Sequence, residues 1–155
     1  MIRNCTIITL VVLLAAGGCR KTGSENGEPN RATGETERMA VAYTFLLGKL
    51  QQDNVNSIAS EDDENLDLIQ NIIQTKRLKL EVESCSNLEE GTDLCYYSKT
   101  TKKLVAIVDV TKRSESSYYV SYYLGPEGGA SKKILIEKRN GVWTVVNDDG
   151  MWNVK

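Results

Sequence analysis

Asp109, Tyr119 and Tyr123 are the residues best placed by type and spacing to move a proton. Asp109 interrupts Leu104–Thr111, a run that is otherwise apolar on both faces, as a central strand would be. In Ser117–Leu124, alternation puts Tyr118, Val120, Tyr122 and Leu124 on one face and Tyr119, Ser121 and Tyr123 on the other. A carboxylate buried in an apolar pocket can serve as a general base, because burial raises the pKa of such a group. Asp109 with Tyr119 or Tyr123 is therefore a candidate proton-transfer pair. The structural alternative is that Asp109 ends a strand or pairs with a lysine or arginine, and that the tyrosines pack across strands. Trp143 is either sheet core or a ligand platform, and Tyr119, Tyr123 and Trp143 together are the ligand-binding candidates.

Other chemistries lack their parts. The 155 residues include no histidine, which excludes Ser-His-Asp and Cys-His nucleophile systems and any histidine-ligated metal. Ser114, Ser116 and Ser117 lie in a loop with no base to activate them. The acidic run Glu61-Asp62-Asp63-Glu64 lacks the D-x-D-x-D-G spacing of a calcium loop. It suits instead the positive end of a helix dipole, with Ser60 as N-cap. No metal and no cofactor are expected. With 19 basic and 21 acidic side chains the net charge is −2, so there is no basic stripe for nucleic acid.

The N-terminus carries an address. Arg3 precedes a ten-residue apolar stretch, Ile7–Ala16, broken only by Thr9. A membrane-spanning helix needs roughly 20 apolar residues, so this stretch reads as the hydrophobic region of a signal peptide over residues 1–18. Ala16-Gly17-Gly18-Cys19 then resembles the lipobox of bacterial lipoproteins, with Ala16 where Leu is usual and Leu14 two residues earlier. The resemblance implies that Cys19 becomes the first mature residue and carries diacylglyceryl, palmitate-type lipid. Two or three acyl chains give stable anchoring where one does not. Arg20 rather than Asp follows, which points to the outer membrane where the cell has one; the side of the membrane is left open. Residues 19–36 read as the lipidated cysteine and a flexible tether, since Ala32 is the only apolar side chain in RKTGSENGEPNRATGET.

A single α+β domain is expected over residues 37–155, helices first and strands after. Met39, Ala42, Tyr43, Leu46, Leu47 and Leu50 recur at helical spacing behind Thr36 as N-cap. Val55, Ile58 and Ala59 suggest a short helix or turn, and Leu66–Ile73 a further helix ending near Lys76-Arg77. Strands are expected at 78–83, 94–99, 104–111, 117–124, 132–139 and 142–147, the last pair joined by the hairpin signal Asn140-Gly141. Trp152 either covers an open sheet end or is exposed.

Cys85 and Cys95 flank a polar loop between two expected strands. Export to an oxidising compartment makes them a structural disulfide, worth about 3 kcal/mol on the chain-entropy estimate. Cys5 leaves with the signal peptide and Cys19 is lipidated, so no mature cysteine is left over.

The stretch from Met39 to Ala59, with its polar break Gln51-Gln52-Asp53-Asn54, resembles the opening of nuclear-transport-factor-2-like domains. The hairpin from Ile134 to Asp149, carrying Glu137-Lys138-Arg139-Asn140-Gly141-Val142-Trp143, is similar to the last two strands of that family. The resemblance spans Glu37 to Asp149. It implies N-terminal helices packed on a strongly curved antiparallel sheet, a cystatin-like cone with a cavity inside. Enzymes of that superfamily line the cavity with Asp, His and Tyr, and none of their catalytic motifs is matched residue by residue here.

The resulting expectation is a lipid-anchored cell-envelope protein, a non-catalytic module that binds a small apolar ligand or an envelope protein and not nucleic acid. Two alternatives stand beside it: a small isomerase or dehydratase using Asp109, and a partner-recognising, immunity-like accessory lipoprotein.

Overall fold

The computed structural model describes residues 29–60, 62–126, 128–147 and 152–154. Cys19, the expected signal peptide and the first part of the expected tether lie outside them.

Helix α1, Pro29–Gln52, opens on a proline, the residue whose missing N–H matters least at a helix start. It begins within the stretch read as tether, so Thr36 lies inside a helix instead of capping one. Contacts with the sheet supply what composition did not reveal. Glu35 accepts a hydrogen bond from Lys112 Nζ at 2.9 Å, and Glu37 accepts one from Trp143 Nε1 at 2.8 Å. Ala42, Tyr43, Leu46, Leu47 and Leu50 form the helix's buried stripe. The helix ends in a Schellman motif: Asn54 is left-handed at φ 59°, its N–H returns to Gln51 O, and that of Val55 to Leu50 O.

Where a short helix or turn was expected, the chain forms strand β1, Ser57–Ser60, with all four residues buried. A strand covered on both faces has no alternation to betray it. Ser60 ends that strand, and its hydroxyl accepts a hydrogen bond from the Asp62 N–H. A short 3-10 turn, Asp63–Asn65, leads into α2, Leu66–Lys76, which stops at left-handed Arg77. Strand β2, Glu81–Val82, returns parallel to β1. A hairpin of β3, Leu88–Glu90, and β4, Tyr96–Ser98, follows. Strands β5 (Leu104–Lys112), β6 (Ser117–Gly125), β7 (Gly128–Arg139) and β8 (Val142–Asn147) are antiparallel neighbours. Asn140 and Gly141, both at positive φ, make the tight turn between the last two. A short β9, Asn153–Val154, pairs with β7 at Ala130 and Ser131.

The fold is α+β, and its sheet runs β2-β1-β5-β6-β7-β8 and curls into a half-barrel. The sheet is mixed, which corrects the antiparallel expectation: β1 is parallel to both β2 and β5. Register shifts in β6 near Gly125 and in β7 at Leu135/Ile136 add local bend. The helices cover one sheet face. Tyr43, Leu46 and Leu47 of α1 and Ile69 of α2 form a core with Ile58, Ala106, Val108, Tyr118, Val120 and Ile134, each 0–1% exposed. These side chains form the core between the helices and the sheet, on the side where a cone's cavity was expected.

Candidate functional site: a polar rung between two tyrosines

Because the side-chain period of a strand is two, the residues alternating with that core form a second face. In β6, Tyr118, Val120 and Tyr122 point to the helices, while Tyr119, Ser121 and Tyr123 are half-buried on the other side. The ladder aligns Asp109 of β5 with Ser121, Ser121 with Ser131 of β7, and Ser131 with Asn153 of β9. Four polar residues thus form one rung across four strands, about 14 Å long at the usual strand spacing. On one side lies the rung Ile107–Tyr123–Gly129, and on the other Thr111–Tyr119–Lys133. The result is a trough of about 250 Å³ with a polar floor and a tyrosine at either end.

Gly129 leaves the floor open. Its φ is +147°, and a Cβ there would lie 2.7 Å from the Tyr122 carbonyl oxygen, so no side chain can stand opposite Tyr123. The β3–β4 hairpin holds Tyr123 in place: the Tyr123 hydroxyl donates to Leu94 O at 3.1 Å, and its ring meets Tyr96 edge-on at 6.4 Å. Burial, with smaller contributions from neighbouring charges, pushes the Tyr123 phenol above its ordinary pKa. At the other end Tyr119 donates to Ser131 Oγ at 2.6 Å, and the Arg113 guanidinium sits 5.7 Å above the Tyr119 ring. Asp109 is exposed, and one of its oxygens accepts from Thr111 Oγ1 at 2.8 Å. No lysine or arginine lines the trough among the described residues.

The structure therefore brings Asp109, Tyr119 and Tyr123 together. It places Trp143 on the helix side. There the indole N–H bonds Glu37, the Arg38 guanidinium lies 4.8 Å above the ring, and the Lys138 ammonium lies 5.5 Å away. Trp152 stacks on Phe45 at 5.7 Å and so covers α1. Sequence reasoning put Ser121 on the tyrosine face without assigning it to a site. It missed Ser131 and Asn153, the latter because β9 is two residues long.

The expected disulfide is absent. In the β3–β4 hairpin the Gly91 N–H bonds Cys95 O, which places Cys95 beside the turn. Cys85 lies at the hairpin's other end, where its thiol donates to Ser60 O at 2.9 Å. Disulfide geometry requires Cα atoms within about 7 Å, and this register holds the two residues at opposite ends of the element. Among the described residues no three acidic or thiol side chains gather to hold a metal. No described helix is long and apolar enough to cross a membrane.

No family model, curated protein or solved structure matches this chain.

Proposed function

We propose that the protein is a lipid-anchored cell-envelope module, held by Cys19, whose domain binds a small ligand without transforming it. The observation that carries this reading is the trough. The sheet offers an aligned polar rung between two ordered tyrosines, on the face that the helices leave open. Its volume lies below the roughly 300–1,000 Å³ of common ligand pockets, so the ligand is small.

The convergence of Asp109 with Tyr119 and Tyr123 is also what an envelope isomerase would use. Against catalysis stands the setting. Asp109 is exposed and bonded to Thr111, and the dry surroundings that make electrostatic catalysis effective are missing. A nuclear-transport-factor-2-like ancestry draws support from the long first helix on a curled sheet and from the closing Asn140-Gly141 hairpin. In this reading the ligand site has moved from the cone's interior to the open face.

Native mass spectrometry of the mature chain from its own host's envelope tests the proposal. The expected result is a fixed added mass that is lost on denaturation and absent in Ser121→Phe, which fills the trough. A bare lipidated chain, or an adduct that Ser121→Phe retains, overturns it. The anchor has its own test: Cys19→Ser should move the protein from the membrane to the soluble fraction.

A further inference from the structure

We infer that the trough selects an organic ammonium group, a small primary amine seated between Tyr119 and Tyr123 against Asp109. This rests on the trough being a binding site and adds the chemistry of what it binds.

The first argument is charge. Asp109 is the only ionisable group other than tyrosine among the described lining residues. Its second carboxylate oxygen takes no hydrogen bond among the described residues. An anionic ligand would face that carboxylate with no cation among the described lining residues, Arg113 and Lys133 standing only at the Tyr119 end, whereas an ammonium would pair with it directly.

The second argument is the use of the hydroxyls. Both tyrosine hydroxyls donate to protein acceptors, Tyr119 to Ser131 Oγ and Tyr123 to Leu94 O. They hold the rings in place and have no proton left to give a ligand. What the trough offers instead is the Asp109 carboxylate, which only accepts, beside the Ser121, Ser131 and Asn153 side chains, which can accept or donate. A primary ammonium has three donors and no acceptor, so it can pair with the Asp109 carboxylate and use the Ser121 and Asn153 oxygens as further acceptors.

The third argument is the aromatic surroundings. A cation is attracted to the face of a tyrosine ring. Arg113 already takes that position over one face of Tyr119, 5.7 Å from the centroid. The open floor above Gly129 leaves space for the carbon skeleton beside Tyr123.

The test uses three matched probes, benzylammonium, benzyl alcohol and phenylacetate, titrated into the isotope-labelled full chain and followed by amide chemical shifts. Benzylammonium should saturably shift Ser121, Tyr123, Gly129 and Ser131, and bind about tenfold tighter than benzyl alcohol, as one charge-assisted hydrogen bond provides. Asp109→Asn should remove that preference while leaving the spectrum elsewhere unchanged, which keeps folding apart from binding. Phenylacetate should leave the trough amides unmoved. Equal binding of benzyl alcohol, or a preference that survives Asp109→Asn, overturns the amine assignment and leaves the trough as a site. Silence of the trough amides to all three probes also overturns it, and the mass measurement on envelope-derived protein then decides the underlying reading.

Discussion

Tyr119 and Ser131 join β6 to β7 by a 2.6 Å hydrogen bond that crosses diagonally from the tyrosine rung to the polar rung. The bond fixes the ring at one end of the trough and occupies the Ser131 oxygen. Tyr119→Phe keeps the ring and removes the bond. Because the pair is only partly buried, the expected loss is about 0.5–1.5 kcal/mol, read as a lower urea midpoint with an unchanged m-value. Ligand binding should weaken further than stability does, since the freed ring can turn into the trough. An unchanged midpoint would remove the bond from the account.

Cys85 and Cys95 should behave as thiols. Cys95 packs against Gly125 and Cys85 against the end of β1, so neither can reach the other without breaking the β3–β4 register. Protein denatured without reductant and alkylated should take up label at both Cys85 and Cys95. Its melting temperature should be the same with and without reductant. A labelled mass short of both groups, or a midpoint that drops on reduction, would restore the disulfide.

How much of this was legible in the sequence differs by element, for physical reasons. β6 alternates over nine residues, and that period separated Tyr118, Val120 and Tyr122 from Tyr119, Ser121 and Tyr123. Asn140-Gly141 marked its turn because few other residues accept positive φ twice in succession. β1 was missed because four consecutive buried residues carry no period, and its parallel pairing depends on a crossover through α2. The cysteine pairing was misjudged because sequence separation cannot show which residue a hairpin places opposite which. The candidate site was half visible. Asp109 and the tyrosines could be named, but the rung that joins them depends on the register of four strands.

Gly129 should be the least replaceable residue of the trough. An alanine there meets two penalties, backbone strain at φ +147° and a Cβ 2.7 Å from the Tyr122 carbonyl oxygen. The expected destabilisation exceeds about 2 kcal/mol. Gly141→Ala is the control: its φ is +82° but nothing lies within 4 Å of the added carbon, so the backbone alone costs about 1 kcal/mol. Both are read from urea midpoints. Equal losses would mean that the close approach of β6 to β7 at Gly129 is not tight in solution.

Tyr43 should make the fold sensitive to alkali. Its side chain is 1% exposed, and burial pushes its phenol up to about 12, with a smaller push from the Asp109 charge and an opposing pull from its hydrogen bond with Ser60. The ordinary phenol value is 10, so above it the unfolded chain releases the Tyr43 proton while the folded chain keeps it. The associated stability is complete below pH 10 and is lost as pH rises towards 12, at no more than about 1.4 kcal/mol per pH unit for one proton. Tyr43→Phe has no proton to lose there. At pH 7 it should be less stable than wild type by about 1 kcal/mol through the lost Ser60 bond. Tyr97 and Tyr122 are also raised, so both proteins should weaken with alkali. The difference between them isolates Tyr43, and it should shrink above pH 10 and reverse at about pH 11, where the linked loss exceeds the ~1 kcal/mol of the Ser60 bond. Parallel urea midpoints across that range would show that the Tyr43 hydroxyl is not held in the core as described.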